Sequence, residues 1–161
     1  FLAHFDDDDL YAPTYLDTMI GNIRKSGTLA IKLSRWYVLD LEENRFYYCD
    51  PLAFEHEAAD AEQWILSQYT TLSTLGMAKD GEKTYGWGFS YLYLRSVVLE
   101  FPFEDKNMGE DWGFYSAVMR AKGCHSIALL EDTTGICLHL QHGRNTSKSL
   151  CVASREVLAE E

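Results

Sequence analysis

The sequence has little positive charge and no basic cluster. Its 14 lysines and arginines stand against 25 aspartates and glutamates, which gives a formal net charge of −11. A surface of this sign repels the phosphate backbone, so we expect no nucleic-acid partner. No apolar run approaches the ~20 residues that a membrane helix needs, so we expect no membrane span in this segment. Acidic residues are compatible with binding of a divalent metal.

The cysteines form no CxxC pair, although the chain has 4 of them. Their spacing excludes a zinc ribbon and a thioredoxin motif, and it leaves disulfides open. Aromatic residues are abundant, at 14%, and such residues fill cores but also line sugar sites. The triplet Asn145-Thr146-Ser147 matches the acceptor pattern for N-glycosylation, which requires a secretory context.

Hydrophobic spacing predicts one domain built from strands and helices. Residues 1–5 are apolar and indicate a buried strand that ends at an acidic run. Leu16, Met19 and Ile23 then recur at helical spacing, with Pro13 suited to the first helical position and Gly27 to the C-terminal cap. Further strands are predicted at residues 29–33, 36–41, 46–49, 125–130 and 136–140, with a hairpin turn at 42–45 and further helices at 60–76 and about 110–123.

The acidic run Asp6 to Asp9 follows the first predicted strand. Strand ends in α/β sheets are where ligands usually bind. Carboxylate oxygens suit hard cations such as Mg²⁺ and Mn²⁺, and such a cation can bridge a diphosphate. The alternative reading is a solvated acidic loop.

Two later motifs can also carry chemistry. The pair Glu110 and Asp111 precedes an aromatic-faced helix, where a carboxylate can accept a proton from a sugar hydroxyl or can simply cap the helix. His142 follows the last predicted strand and can reach a metal through a ring nitrogen, although a lone histidine is more often structural. Strand alternation points His142 the same way as Leu138 and Leu140, and points His139 to the other side of the strand.

The order of these motifs resembles that of the GT-A glycosyltransferases, especially the family-2-like inverting enzymes. The segment from Phe5 to Pro13 resembles their DXD segment, with Asp6 and Asp8 as the DXD pair. Residues 85–89 resemble the acceptor-side loop, and residues 109–111 resemble the ED motif. The fold that this resemblance implies is α/β: the C-terminal half of a GT-A fold, a mixed sheet with flanking helices.

The resemblance also implies roles for individual residues in transfer of a sugar from a nucleotide-sugar donor to a sugar or protein acceptor. Asp111 takes the position of the catalytic base. A Mn²⁺ or Mg²⁺ ion and the donor would be held by Asp6, Asp8 and His142. The residues on the acceptor side would be Trp87, Glu110 and Trp112.

One departure from the family is large. In the family a nucleotide-binding βαβ half precedes the DXD segment, whereas this chain starts at the DXD strand. We therefore expect residues 1–161 to form a single partial domain whose metal binding is weak. Enzymatic activity then depends on whether the full-length protein carries the donor-binding half. The strand at residues 1–5 should be covered by a missing N-terminal segment or by another protein chain.

Two other functions stay open at this point. A catalytically inactive remnant could act as a structural or interaction subunit of a larger assembly, which the missing half and the aromatic excess favour. A carbohydrate-binding module would explain the aromatic residues but not the carboxylates. The hairpin at residues 34–50 and the acidic stretch at 50–62 look like an insertion, and no role follows for them.

Overall fold

The chain folds as a mixed α/β structure in which a curled mixed sheet is flanked by helices. The computed structural model describes residues 1–50, 85–107 and 109–145, together with the backbone of 154–156. The predicted mixed sheet with flanking helices is thus confirmed, while the helix predicted at 60–76 lies outside the described residues. Within the described part of the chain, no helix is long and apolar enough to cross a membrane.

The described part of the chain contains eight strands and three α-helices. The strands are β1 (Leu2–Ala3), β2 (Leu10–Tyr11), β3 (Ala30–Asp40), β4 (Arg45–Cys49), β5 (Leu92–Tyr93), β6 (Ile127–Glu131), β7 (Cys137–Gln141) and β8 (Ser154–Glu156). The helices are α1 (Tyr15–Ser26), α2 (Arg95–Glu100) and α3 (Glu110–Lys122).

Strand β3 organises the sheet, because its two halves have different neighbours. The first half pairs with β5 antiparallel and with β6 parallel. The second half pairs with β7 parallel and with β4 antiparallel. The prediction of two separate strands here is wrong. One continuous strand carries an irregular step between Leu33 and Arg35, after which the fully buried positions become Trp36 and Val38.

Helix α1 buries one side against the sheet. Tyr15, Met19 and Ile23 are 1%, 0% and 2% exposed and follow the spacing of four that brings helical side chains onto one face. The helix begins at Tyr15, two residues after Pro13. It ends as predicted at Gly27, which adopts a φ of +68° and donates its N–H to the Ile23 carbonyl at 3.0 Å. Glycine takes this left-handed conformation without steric cost.

The connection between β6 and β7 is fixed by one buried carboxylate. Asp132 is 1% exposed. Its Oδ1 accepts the backbone N–H groups of Thr134, Gly135 and Ile136 at 3.1, 2.7 and 3.0 Å, and its Oδ2 accepts that of Cys137 at 3.1 Å. This turn sets where β7 starts, and therefore where the polar residues at the end of β7 lie.

The first strand is shorter and more exposed than predicted. Only Leu2 and Ala3 form β1, which pairs with β5. Phe1, Leu2 and Phe5 are 45%, 40% and 51% exposed, so the prediction of a buried strand is wrong. The physical reason is that β1 ends the described order of the sheet, and no described strand pairs with its other side.

Candidate functional site

The acidic loop between β1 and β2 is held against the segment at residues 88–90. The hydroxyl of Tyr11 donates to the carbonyl of Phe89 at 2.7 Å and accepts the backbone N–H of Asp6 at 3.1 Å. A single side chain in β2 therefore joins the start of the loop to a segment distant in sequence. This role of Tyr11 was not predicted, because nothing local to the residue indicates what its hydroxyl contacts.

Asp8 and His142 lie in direct contact. The Nε2 atom of His142 is 2.9 Å from Oδ2 of Asp8. The backbone N–H of Arg144 points at Nδ1 of His142 at 3.1 Å, so Nδ1 is the acceptor and Nε2 carries the proton that Asp8 accepts. The sequence placed both residues at strand ends, and the structure brings these two ends together.

Asn145 completes this polar cluster. Its Nδ2 donates to Oδ2 of Asp8 at 3.3 Å and to the carbonyl of Leu140 at 3.1 Å. Its Oδ1 accepts the backbone N–H of His142. The side chain thus closes the turn after β7 and holds His142 beside Asp8.

Asp9 and His139 form a second, more deeply buried pair. The Nδ1 atom of His139 is 2.9 and 3.0 Å from the two carboxylate oxygens of Asp9, and the backbone N–H of Leu140 donates to the same carboxylate at 2.9 Å. The side chains of His139 and Asp9 are 10% and 0% exposed. The ring of His139 stacks on Phe89 at 5.0 Å. Strand alternation was no guide to this pair, because it set His139 apart from the apolar Leu138 and Leu140, whereas the structure buries His139 more deeply than either leucine.

A cavity of about 490 Å³ joins the acidic loop to the start of α3. Three separate parts of the chain contribute carboxylate or imidazole groups to its lining: Asp6 from the acidic loop, His139 from β7, and Glu110 and Asp111 from α3. Trp87 also lines it, together with Phe89 and Phe103. Trp112 lies outside this lining, because its ring stacks on Tyr85 with the centroids 6.3 Å apart.

The electrostatics of the cavity favour protonation of its carboxylates. Burial raises the pKa of Asp6, and the neighbouring charges of Asp9 and Asp8 raise it further. Burial also raises the pKa of Asp111. The backbone N–H of Trp112 donates to Oδ1 of Asp111 at 2.9 Å and has the opposite effect on this pKa. Carboxylates that crowd together in this way are relieved by a cation.

Two features show how tightly the start of α3 meets the cavity. A Cβ at Gly88 would lie 3.4 Å from Oδ2 of Asp111, so a side chain there would be in van der Waals contact with the carboxylate. The Oε2 atom of Glu110 is buried and accepts no hydrogen bond from the described residues. A buried acceptor without a donor is costly, which makes this atom a natural receiver for a ligand hydroxyl.

A complete metal site is not preformed. Among the described residues, no group of three or more His, Cys, Asp or Glu side chains has the arrangement needed to hold a metal ion. Asp8 and His142 contact each other, whereas Asp6 faces the cavity with His139. Any ion held here would need further ligands from a bound molecule.

No protein-family model, curated protein or solved structure matches the chain. The chemistry of the site therefore has to be read from its own residues.

Proposed function

We propose that this chain is the metal- and acceptor-binding part of a GT-A-type inverting glycosyltransferase. The observation that carries the proposal is the cavity, which Asp6 of the acidic loop and Asp111 at the start of α3 line together. Transfer from a nucleotide-sugar requires a cation beside the diphosphate and a base beside the acceptor hydroxyl. Asp6 would help to hold that cation and Asp111 would act as the base, so two carboxylates from distant parts of the chain would serve the two functions around one space.

The donor set supports a hard divalent cation. Asp6 and Asp8 offer carboxylate oxygens and His142 an imidazole nitrogen, which suit Mn²⁺ or Mg²⁺. The 2.9 Å between His142 and Asp8 is close to the ~3 Å that separates neighbouring ligands of an octahedral ion with bonds of ~2.1 Å. When bound, such an ion neutralises charge on the diphosphate leaving group.

Asp111 has the environment of a general base. Its raised pKa makes the carboxylate a stronger proton acceptor than an exposed aspartate. The hydrogen bond from Trp112 fixes Oδ1, so Oδ2 is the oxygen left for the acceptor hydroxyl. Glu110 accepts a second hydroxyl through its buried Oε2, and Trp87 packs against the sugar ring.

Metal binding is predicted to depend on the Asp8 and His142 pair. Asp8→Asn and His142→Gln should each weaken Mn²⁺ affinity, measured by calorimetry, by about tenfold or more. The control is Asp17→Asn, which changes an exposed carboxylate in α1 and should leave the affinity unchanged. Equal affinities for all four proteins would contradict the proposed ion site.

The same site offers a spectroscopic readout. An ion at Nε2 of His142 takes the place of the proton that Asp8 accepts, so the ring proton moves to Nδ1 and the contact with Arg144 opens. We expect addition of Mg²⁺ to exchange the two ¹⁵N resonances of this ring between their protonated and unprotonated positions. Unchanged ¹⁵N shifts at saturating Mg²⁺ would argue that His142 is only a structural partner of Asp8.

The loss of the proposed base Asp111 is predicted to affect sugar transfer without affecting metal binding. In a protein that joins this chain to a nucleotide-binding half, Asp111→Asn should lower the rate of sugar transfer by about 10²–10⁴ and leave Mn²⁺ affinity unaltered. Asp105→Asn, at an exposed position in the loop before α3, is the matched control. Transfer at the wild-type rate in Asp111→Asn would remove the assigned base.

A second candidate function, an interaction subunit without catalysis, is favoured by the exposed apolar edge. Phe1, Leu2, Phe5 and Leu10 are between 40% and 57% exposed around β1 and β2. Apolar side chains beside an unpaired strand edge are costly in water. This edge would be covered by another protein chain or by an N-terminal segment.

The edge gives a further prediction. The isolated chain should self-associate in sedimentation velocity experiments, and Leu2→Lys, in the exposed strand β1, should shift it towards the monomer. Leu99→Lys is the control, because Leu99 is 67% exposed in a different element, α2. A wild-type chain that stays monomeric up to high concentration would indicate that this edge needs no partner.

A further inference from the structure

The cavity between the acidic loop and α3 has an excess of negative charge. Asp6, Glu110 and Asp111 contribute carboxylates to its lining, and among the described residues no lysine or arginine lines it. Lys32, whose charge acts on Asp111, is fully buried in β3 and does not belong to the lining. A ligand that fills this space therefore meets several carboxylates and no basic side chain.

Two atoms around the cavity are hydrogen-bond acceptors without a donor among the described residues. Oε2 of Glu110 is buried and unpaired. His139, whose side chain is nine-tenths buried, also lines the cavity, and its Nδ1 donates to Asp9 because a carboxylate only accepts. Nε2 of the neutral ring is then an acceptor, and no described residue hydrogen-bonds to it. The ligand therefore has to supply hydrogen-bond donors.

Aromatic rings form the apolar part of the cavity. Trp87, Phe89 and Phe103 line it. Phe89 stacks on His139 at 5.0 Å and Phe103 stacks on Phe114 at 4.3 Å, so packing against the protein fixes the orientation of both rings. Aromatic faces attract an ammonium group through their ring quadrupole and pack against the apolar face of a sugar. Such a lining suits a ligand that is both cationic and hydroxylated.

An organic cation fits the α3 side of the cavity better than a second metal ion does. A metal ion needs several ligands at fixed distances, and no group of three or more His, Cys, Asp or Glu side chains in the described part of the chain has such an arrangement. An ammonium group donates up to three hydrogen bonds and needs no fixed coordination geometry. The unpaired Oε2 of Glu110 is the acceptor that such a group would meet.

We propose that the α3 side of this cavity takes an amino sugar, whose ammonium group is bound by Glu110 and whose ring hydroxyls donate to the remaining acceptors. The group that Glu110 receives is then an ammonium group rather than a hydroxyl. That this ligand is the acceptor of transfer rests on the proposed function, whereas its binding is a property of the folded chain alone.

An ammonium group here also helps the neighbouring carboxylate. Burial raises the pKa of Asp111, and the charge of Glu110 raises it as well. Positive charge bound between these residues opposes both effects, because an opposite charge nearby favours the ionised form of a carboxylate. The bound ligand thus favours the form of Asp111 that accepts a proton.

The first test compares three sugars on the wild-type chain by saturation-transfer difference NMR. Glucosamine carries the ammonium group, glucose has a hydroxyl in its place, and N-acetylglucosamine has a neutral amide. At a pH of about 6.5, where such an amine is charged, and with EDTA present to remove metals, glucosamine should bind about tenfold or more tightly than either of the others. Equal affinities for the three sugars, or no saturable binding of glucosamine, would overturn the proposal.

The second test assigns the selectivity to a residue. Glu110→Gln keeps the shape of the side chain and removes its charge, so it should weaken glucosamine binding by about tenfold and leave the affinity for glucose unchanged. Asp105→Asn, at an exposed position in the loop before α3, is the control that should keep the wild-type preference. Undiminished selectivity in Glu110→Gln would remove Glu110 as the ammonium site. The first test remains available if this variant does not fold.

The outcomes separate this inference from the proposed function. Selective binding of glucosamine without any sugar transfer in the protein that carries a donor-binding half would keep the ligand class and count against the enzyme. Transfer to glucose and glucosamine with equal efficiency would keep the enzyme and remove the preference for an ammonium group.

Discussion

Replacement of Asp132 by alanine is expected to remove about 3–5 kcal/mol of the free energy of unfolding. Four backbone N–H groups lose their acceptor at once, and those of Ile136 and Cys137 are buried. A buried donor without a partner costs about 1–3 kcal/mol, which is a large share of the 5–15 kcal/mol typical of a domain. The measurement is urea denaturation followed by circular dichroism.

Two further variants isolate the cause. Asp132→Asn keeps one carbonyl oxygen and should lose less stability than Asp132→Ala. Thr133→Ala, at the exposed neighbouring position, should stay within ~0.5 kcal/mol of the wild type. Similar losses in Asp132→Ala and Thr133→Ala would mean that the carboxylate does not organise the turn.

The second large effect is a pH dependence of stability caused by Lys32. Its pKa is about 7 in the folded chain against an ordinary value of 10.5, so the unfolded chain binds more protons between these two pH values. Stability then rises with pH across this window, by about 1.4 kcal/mol per pH unit for one group. Relative to Lys32→Met, the wild type should gain about 4 kcal/mol between pH 7 and pH 10.

The comparison with Lys32→Met isolates the contribution of Lys32, because other titrating groups contribute equally to the stability of both proteins. Burial also raises the pKa values of Tyr85 and Cys137, but both proteins share these groups, so their contributions cancel in the difference. Lys25→Met should run parallel to the wild type at every pH. Parallel curves for Lys32→Met and the wild type would show that Lys32 has an ordinary pKa in the folded chain.

Lys32 also shows where sequence periodicity fails. The alternation of Leu29, Ile31 and Leu33 with Ala30 and Lys32 predicts a strand with one apolar face. The structure buries residues 30 to 33 alike, because α1 packs near one set and α3 covers the other. Period-two patterns are informative only where one face of the sheet is open to water.

Local signals predicted two of the described helices. The caps and apolar spacing indicated α1 and α3 within a few residues, since these signals depend on neighbours along the chain, whereas the short helix α2 was not predicted. The two parts of β3 were misread as separate strands, because the irregular step after Leu33 interrupts the alternation without ending the hydrogen bonding. The continuity of β3 follows from its hydrogen bonds to neighbouring strands, which local spacing in the sequence does not reveal.

The candidate site was accessible from sequence only in outline. Asp8 and His142 were predicted as residues that follow strands, and the antiparallel pairing of β2 with β7 brings the end of β7 to the acidic loop. Asp9 and His139 were missed, because their burial depends on contacts between residues 130 positions apart. Asp8 and Asp9 are adjacent and chemically identical in the sequence, and only the contacts in the folded chain distinguish them.

The side-chain amide of Asn145 takes part in the polar cluster and is also a candidate N-glycosylation position. Its nitrogen donates both hydrogens, one to Asp8 and one to the Leu140 carbonyl, and the same nitrogen is the attachment point in the triplet Asn145-Thr146-Ser147. A glycan there would replace one hydrogen and place a bulky group against the acidic loop. In a secretory compartment, an N-linked sugar on this residue would therefore leave one N–H, which can donate to Asp8 or to the Leu140 carbonyl but not to both as in the unmodified chain.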